Sequence, residues 1–221
     1  MGVFGDPAVK SELSGRTEDQ QSAILYFTGG TGGMLGPKPI TDAEYDALVR
    51  AKLAAVATME LALEKLGLLE EQTEDMNSVR LEGWYYSKQG RIKRGEDRIL
   101  RSSGYQVSWF FFSTDQMFAY QHTFNMDDDT KKTRTENYFY RDVISFSTQT
   151  NTVEYEQVEQ GGLLSQQSVY RDTDDENVFR IVVPGDVFEA CVTQSDYSAQ
   201  AIRAMQKKLR TTKSQIYAKG I

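Results

Sequence analysis

The apolar residues of this chain recur at two different spacings, which divide the sequence into regions. Between residues 42 and 66 they recur every three or four positions, beginning with Tyr45, Leu48 and Val49, as expected of a helix. From Val79 onward they alternate with polar residues, a pattern typical of strands with one buried face. After Ser195 the helical spacing returns. The pattern therefore predicts a helix, an antiparallel β-domain and a closing helix, which is an α+β, mainly β chain.

Both ends of the first helix carry termination signals. Thr41 is followed three residues later by Glu44, which is the arrangement of a capping box. Gly67 follows Leu66 at the place where a left-handed residue ends many helices. These signals predict one long amphipathic helix over 42–66. Its apolar face is too broad for a solvated helix, so we expect it to pack on the β-domain or to pair with a second copy of the chain.

The β-region and the last helix follow from the same reading. The main predicted strands are 79–86, 105–112, 117–124, 133–140, 143–148, 178–183 and 187–192, with weaker candidates at 151–158 and 168–171. In the last helix, which Ser195 is placed to cap, the predicted apolar positions are Tyr197, Ala201, Ile202, Met205 and Leu209. We expect this helix to cover an open end of a curved sheet.

The N-terminal segment predicts little ordered structure. Glycines crowd residues 29–36, and such a stretch has too little side-chain surface to offset its ordering entropy. A phosphate-binding loop is excluded there because Lys38 is followed by Pro39 instead of Ser or Thr. The predicted organisation is thus a flexible segment over 1–39, the helix and a linker over 40–78, and the β-domain with its closing helix over 79–221.

Three segments resemble the pleckstrin-homology superfold, and in particular bacterial PH-like domains of uncharacterised families. They are the aromatic segment 108–112, the strand 138–143, and the strand–turn–strand 179–188 that precedes the last helix. The resemblance covers about residues 79–212. It implies a seven-stranded antiparallel barrel capped by a C-terminal helix, and it implies binding of lipid headgroups or peptides.

Composition narrows the classes of function. The net charge of −7 argues against a nucleic-acid partner, because phosphates repel an acidic surface. Cys191 is the only cysteine, which excludes an intrachain disulfide and fits a reducing compartment. No apolar run is long enough for a bilayer span, and the N-terminus lacks a secretory signal pattern. The sequence predicts a cytoplasmic protein.

Catalytic and metal-binding patterns are weak. His122 is the only histidine, and it stands in an aromatic strand, where a packed histidine is the usual case. The acidic segments 127–129 and 172–176 lack the glycine and glutamate of a calcium loop, so they are interpreted as solvated loops. We predict neither a metal nor a cofactor, and we predict a protein that is not an enzyme.

A basic loop after the first strand is the clearest functional signal. In an otherwise acidic chain its cations are Lys88, Arg91, Lys93, Arg94, Arg98 and Arg101. They fit phosphate binding or contact with an anionic membrane, and they equally fit a long solvated hairpin loop.

Two functional hypotheses result. The first is a non-enzymatic binding or assembly module for a peptide or protein partner, which includes self-association through helix 42–66. The alternative is peripheral binding of anionic lipid or a phosphorylated ligand through loop 88–101.

Overall fold

The computed structural model describes residues 7–30, 38–73, 76–159 and 168–218. Its helices are α1 (Pro7–Leu13), α2 (Glu18–Thr28), α3 (Asp42–Val56), α4 (Met59–Leu66), α5 (Glu70–Thr73) and α6 (Asp196–Ala218). Its strands are β1 (Asn77–Tyr85), β2 (Ile92–Arg94), β3 (Leu100–Ser102), β4 (Gly104–Phe112), β5 (Gln116–Asn125), β6 (Lys131–Phe139), β7 (Ser145–Glu159), β8 (Ser168–Val183) and β9 (Asp186–Cys191). The predicted combination of antiparallel strands with a C-terminal helix is confirmed.

The strands form two antiparallel sheets and a small hairpin. The first sheet has the order β1-β4-β5-β6 and the second has the order β7-β8-β9. The hairpin of β2 and β3 lies inside the basic loop and was not predicted. The weaker candidate strands at 151–158 and 168–171 are continuous with the strands predicted at 143–148 and 178–183. As a result, β7 is 15 residues long and β8 is 16 residues long. Among the described residues, the hydrogen-bonded ladders do not join into one closed barrel.

The first sheet is buried on both faces. Leu81, Phe110 and Met117 belong to a core that the sheet shares with the second sheet and α6. On the other face, Val107 and Phe124 pack in a cluster with α2 and α3. This double burial explains why β4 carries aromatic residues at four consecutive positions, 109–112, instead of at alternate positions.

The prediction of one long helix over 42–66 is wrong at its centre, where α3 ends and α4 begins. Thr58 accepts a hydrogen bond from the N–H of Leu61 (3.2 Å) and so caps α4. The carbonyl of Ala57 accepts a hydrogen bond from the indole N–H of Trp109 (3.1 Å). The helix is therefore interrupted at residues 57–58. There the Thr58 side chain and the Trp109 indole bind backbone groups that a continuous helix would pair with each other. The predicted ends are confirmed by the capping box at Thr41 and by the left-handed Gly67.

The apolar face of α3 lies on the first sheet of the same chain. Tyr45, Val49 and Leu53 are buried there, at 5% exposure or less. Of the two predicted alternatives for this helix, packing on the β-domain is confirmed. The same burial leaves self-association through α3 without the exposed apolar face that suggested it.

Part of the N-terminal segment is helical, in contrast to the weak order predicted for residues 1–39. Thr17 and Gln20 form a capping box at the start of α2. Ala23 and Tyr26 are fully buried, and the Tyr26 ring stacks on Tyr45 with centroids 4.3 Å apart. The apolar residues 24–27 therefore bury enough surface, partly on α3, to become ordered. The glycine-rich stretch 29–36 of the predicted flexible segment falls largely on residues 31–37, which lie outside the described ranges.

The last helix covers the core as predicted, with Ala201, Met205 and Leu209 buried between the two sheets. Tyr197 was predicted to share this face but is 60% exposed. The buried stripe starts one position later, at Ser198, so Tyr197 points away from the core.

Candidate functional site

Arg101, one of the predicted ligand-binding cations, is buried in β3 with its side chain 2% exposed. Its guanidinium donates to both carboxylate oxygens of Asp46 on α3 (2.7 and 2.8 Å). It also donates to both oxygens of Asp97 (2.8 and 2.7 Å). The hydrogen bond from Arg101 lowers the pKa of Asp97 to about 2. Arg101 thus fastens α3 to the β2–β3 hairpin.

Two further cations of the loop fasten the N-terminal helices. Arg91 donates to Glu12 of α1 (2.8 Å) and to Asp127 (3.0 Å). Lys93 donates to the carbonyl oxygen of Tyr26 (2.9 Å), and its Nζ lies 4.1 Å from the centroid of that ring. Burial lowers the pKa of Lys93. Both side chains therefore have partners within the chain.

Arg94 contacts the outer part of the β7–β8 hairpin. Its Nε donates to the hydroxyl of Tyr155 (2.8 Å), and its Nη2 lies 3.0 Å from a carboxylate oxygen of Asp174. The side chains of Lys88 and Arg98 are exposed and form no ion pair within the part of the chain that the structure describes. The structure therefore leaves two of the six predicted cations open to solvent.

The acidic segment 127–129 also has partners within the chain. Asp127 pairs with Arg91, and Asp129 accepts a hydrogen bond from Gln20 of α2 (2.8 Å). Asp128 accepts one from the N–H of Thr130 (2.7 Å). In the described ranges no three or more His, Cys, Asp or Glu side chains are grouped to hold a metal ion. Asp129 therefore binds α2 directly, and Asp127 is linked to α1 through Arg91, which also binds Glu12.

His122 and Cys191 do not form a nucleophile–base pair. Nδ1 of His122 lies 3.0 Å from the hydroxyl oxygen of Thr133 on β6, and burial lowers the pKa of the ring. The sulfur of Cys191 on β9 lies 3.8 Å from a carboxylate oxygen of Glu176. Burial raises the pKa of this thiol, which keeps it protonated and a poor nucleophile.

The outer edge of β9 is closed by the first sheet. At alternate residues, one backbone C=O or N–H points away from β8 and forms a hydrogen bond with the first sheet. These residues are Val187, Glu189, Cys191 and Thr193. The carbonyl of Val187 accepts from Arg134 Nη1 (3.3 Å), and the carbonyl of Glu189 accepts from Gln121 Nε2 (2.7 Å). The N–H of Cys191 donates to Gln106 Oε1 (2.8 Å), and the N–H of Thr193 donates to the Glu82 carbonyl (2.7 Å). These partners come from β6, β5, β4 and β1, so β9 crosses all four strands of the first sheet.

The opposite edge of this sheet, along β7, is much less covered. The carbonyl of Phe146 accepts from Gln206 of α6, and the carbonyl of Ile144 accepts from Lys213, both at 3.4 Å. Alternate residues of an edge strand direct their N–H and C=O away from the neighbouring strand. Since the backbone carbonyl of Phe146 points outward, the backbone N–H and C=O groups of Thr148 and Thr150 do so as well. No described strand pairs with this side of β7.

A cleft of about 530 Å³ opens beside this edge, at the start of α6. Its apolar lining comes from Val178, Val192, Ala199 and Ile202, and its polar lining comes from Thr148, Asn177, Gln194, Ser195, Asp196 and Ser198. The free edge of β7 and this cleft meet at Thr148, and together they are called here the β7 edge site. Extended backbone is a natural occupant of such a surface, because it offers one N–H and one C=O at every second residue on each side.

The sequence did not point to the β7 edge site. Its one visible signal is the polar, uncharged run around Thr148 and Thr150, which is typical of a strand with a solvent face. Which edge of which sheet this run occupies depends on strand order, and strand order depends on contacts between residues far apart in sequence. The predicted site was the basic loop, whose charge is visible without a fold.

Comparison with known proteins found no match among family models, curated proteins or solved structures. None of the described helices has the length and apolar character to cross a membrane. The protein's class therefore rests on its fold and on the geometry of the β7 edge site.

Proposed function

We propose that this protein is a non-enzymatic binding module that holds an extended peptide or protein segment along the β7 edge site. The observation that carries this proposal is the outward-facing backbone of residues 146–150, which lies beside a cleft. Among the described residues, a single long side-chain hydrogen bond reaches it, from Gln206 to the Phe146 carbonyl (3.4 Å). A peptide strand offers shorter backbone hydrogen bonds, and its side chains fill the adjoining cleft.

The edges of β9 and β6 are less suited to this role. The outward-facing backbone groups of β9 are bound to the first sheet, as described above. The edge strand β6 carries exposed Lys131 and Lys132, and lysines on an edge strand discourage pairing with another chain.

We also propose that the strands and the C-terminal helix have a PH-like arrangement. Four strands, three strands and a C-terminal helix occur in the order that the pleckstrin-homology resemblance implies. The crossing of β9 over the first sheet supports a PH-like seven-stranded barrel in which side chains, more than ladder bonds, close the junction. A cytoplasmic location, suggested by the single buried cysteine, is part of this proposal.

The contacts of loop 88–101 give less support to the alternative, which is an anionic lipid or phosphorylated ligand bound by that loop. Binding of phosphate by Arg91, Lys93, Arg94 or Arg101 requires the loss of hydrogen bonds that hold helices and strands together. Lys88 and Arg98 remain as exposed cations for such a ligand.

The proposal is tested by removing one outward-facing donor from β7. In Thr148→Pro the chain loses an N–H that makes no ladder bond to β8, and proline is tolerated at such edge positions. Thr148→Ala is the matched control because it shortens the same side chain and keeps the N–H. Displayed random 12-residue peptides are selected on the full chain, and the best binder is titrated by fluorescence anisotropy.

We expect Thr148→Pro to weaken binding about tenfold, since one unmade backbone hydrogen bond costs roughly 1–1.5 kcal/mol. Thr148→Ala should bind within about threefold of the unmodified chain. Circular dichroism and melting curves establish that both variants are folded. Equal affinity of the proline variant and the unmodified chain would refute binding at this edge.

A further inference from the structure

The helix beside the β7 edge site is strongly basic, although the chain as a whole carries a net charge of −7. Its only acidic residue is Asp196, in the first turn. Its basic residues are Arg203, Lys207, Lys208, Arg210 and Lys213. None of them makes an ion pair within the described parts of the chain. In this respect α6 differs from loop 88–101, where most cations are bound to carboxylates or carbonyls.

Three of these cations, Arg203, Arg210 and Lys213, lie on the side of α6 that borders β7. Gln206 and Lys213 mark this side, because both donate to β7 carbonyls. Arg203 precedes Gln206 by three residues and Arg210 follows it by four, and residues at these spacings are neighbours on a helix surface. Both arginines are exposed, whereas the opposite side of the helix, with Met205, is buried. The two arginines are therefore exposed on the side of α6 that borders β7.

We infer that the segment bound at the β7 edge site is acidic, with Asp or Glu at alternate positions facing Arg203, Arg210 and Lys213. This inference rests on the proposed function and adds the chemical class of the partner. Alternate side chains of an extended strand point to the same face, so a bound segment presents every second residue to α6. Guanidinium groups bind carboxylates through charge-assisted hydrogen bonds, often in pairs.

The dimensions of the two elements agree with such a segment. From Arg203 to Lys213 the helix rises about 15 Å, which an extended chain of about five residues matches. Three acidic side chains at every second position fall within this length. Asp196 lines the cleft at the other end of the site and repels carboxylates there. The acidic residues are therefore placed along the stretch from Arg203 to Lys213, and uncharged residues are placed at the cleft.

An anionic membrane is another partner for a basic helix, and the structure favours the peptide. The arginines adjoin a row of outward-facing backbone N–H and C=O groups, which lipid headgroups do not satisfy in a regular pattern. A peptide strand satisfies both the backbone and the cations at once. The two partners differ in their response to Thr148→Pro, since only strand addition needs the lost N–H.

The experiment uses three pools of 12-residue peptides with alternate positions fixed as Glu, Gln or Lys and the remaining positions randomised. Each pool is titrated against the full chain at low and at high salt by fluorescence anisotropy. The same measurement is made on Arg203→Gln/Arg210→Gln and on Thr148→Pro. Lys131→Gln/Lys132→Gln is the matched control, because it removes two exposed cations from a different strand edge.

We expect the Glu pool to bind about tenfold more tightly than the Gln pool at low salt, with the difference shrinking as salt screens the charges. The Arg203→Gln/Arg210→Gln variant should lose this preference and keep its affinity for the Gln pool. The control variant should keep the preference, and Thr148→Pro should weaken binding of both pools.

Two other outcomes overturn the inference in different ways. If the Gln pool binds through Thr148 as tightly as the Glu pool, the edge site stands and its acidic specificity is wrong. If the Glu pool binds Thr148→Pro and the unmodified chain equally and is displaced by phosphatidylserine vesicles, α6 is a surface for anionic membranes. If no pool binds, both the inference and the proposed function fail.

Discussion

Arg101 reaches across 55 residues of sequence to hold Asp46 of α3. Its guanidinium is surrounded by two carboxylates and buried under α3, so it is one of the few charges whose removal affects the whole fold. The other cations of the loop act similarly on a smaller scale, with Arg91 fastening α1 and Lys93 fastening α2. Most cations of the basic loop thus stabilise contacts between elements of the same chain.

The variant Arg101→Gln should be strongly destabilised. It leaves Asp46 and Asp97 without their cation, and removing one partner of a buried ion pair costs about 3 kcal/mol or more. Urea denaturation measures the free energy of unfolding. Lys88→Gln is the control from the same loop, and its exposed side chain should contribute less than about 0.5 kcal/mol. Similar midpoints for the two variants would contradict this role of Arg101.

Glu176 is a carboxylate placed in an unfavourable environment. Burial raises its pKa, and its side-chain partners include the amide of Asn151 (3.4 Å) and the thiol of Cys191 (3.8 Å). Because the folded-state pKa is higher than the unfolded value of about 4.3, the folded chain binds this proton more tightly. The carboxyl therefore costs nothing at low pH, and its ionisation destabilises the fold as the pH rises above about 4.3.

Glu176→Gln should accordingly raise the melting temperature at pH 7, because a neutral amide of nearly the same shape replaces the buried carboxylate. The gain should shrink as the pH falls and should vanish near pH 4, where the unmodified side chain is protonated in both states. Melting curves at a series of pH values measure this. Glu154→Gln, at an exposed position, should show no comparable gain. A pH-independent gain for Glu176→Gln would show that ionisation is not its cause.

Among the elements, those with local signals were predicted and those set by distant partners were not. The capping box at Thr41, the left-handed Gly67 and the alternation of the main strands depend on neighbours in sequence, and the structure confirms them. The break in the long helix depends partly on Trp109 of β4, which binds the carbonyl of Ala57. A sequence window around Ala57 does not contain that partner.

The same distinction explains the difference between the predicted and the structural candidate sites. The positive charge of loop 88–101 is visible in the sequence, but the carboxylates that neutralise it lie as far away as Glu12 and Asp174. The β7 edge site appears only after strand order is known. The cations of α6 were visible as the polar side of an amphipathic helix, and their position beside β7 was not.

Close contact between β1 and the chain after β9 depends on Gly83. A Cβ built on Gly83 lies 3.0 Å from the backbone nitrogens of Val192 and Thr193. Thr193 in turn donates to the Glu82 carbonyl (2.7 Å), which is the one direct backbone link of the crossing described above. A side chain at this position therefore separates the two sheets where they meet.

Gly83→Ala should destabilise the protein by about 1–3 kcal/mol, the usual range for overpacking a close contact. Ser78→Ala on the same strand, at an exposed position, is the control and should change stability by less than about 0.5 kcal/mol. Chemical denaturation of both variants measures the difference. An alanine variant as stable as the control would mean that the chain at 192–193 moves away without cost.

The whole molecule has three layers: the N-terminal helices, the four-stranded sheet, and the three-stranded sheet with α6. The N-terminal helices cover the face of the first sheet that a solitary β-domain leaves exposed, which is why α2 and α3 belong to its core. Charge is distributed unevenly over these layers. The cations of the hairpin are largely neutralised by the helices and the long β7–β8 hairpin, while those of α6 face solvent.

The side-chain bonds along β9 also set how many partners the three-stranded sheet takes. A sheet with two free margins can bind a strand on each side and so link two partners. Here one margin is sealed by Arg134, Gln121, Gln106 and the Glu82 carbonyl. The chain itself therefore offers one margin of this sheet, along β7, to a partner. For the proposed binding at the β7 edge site, we therefore expect a stoichiometry of one bound segment per chain.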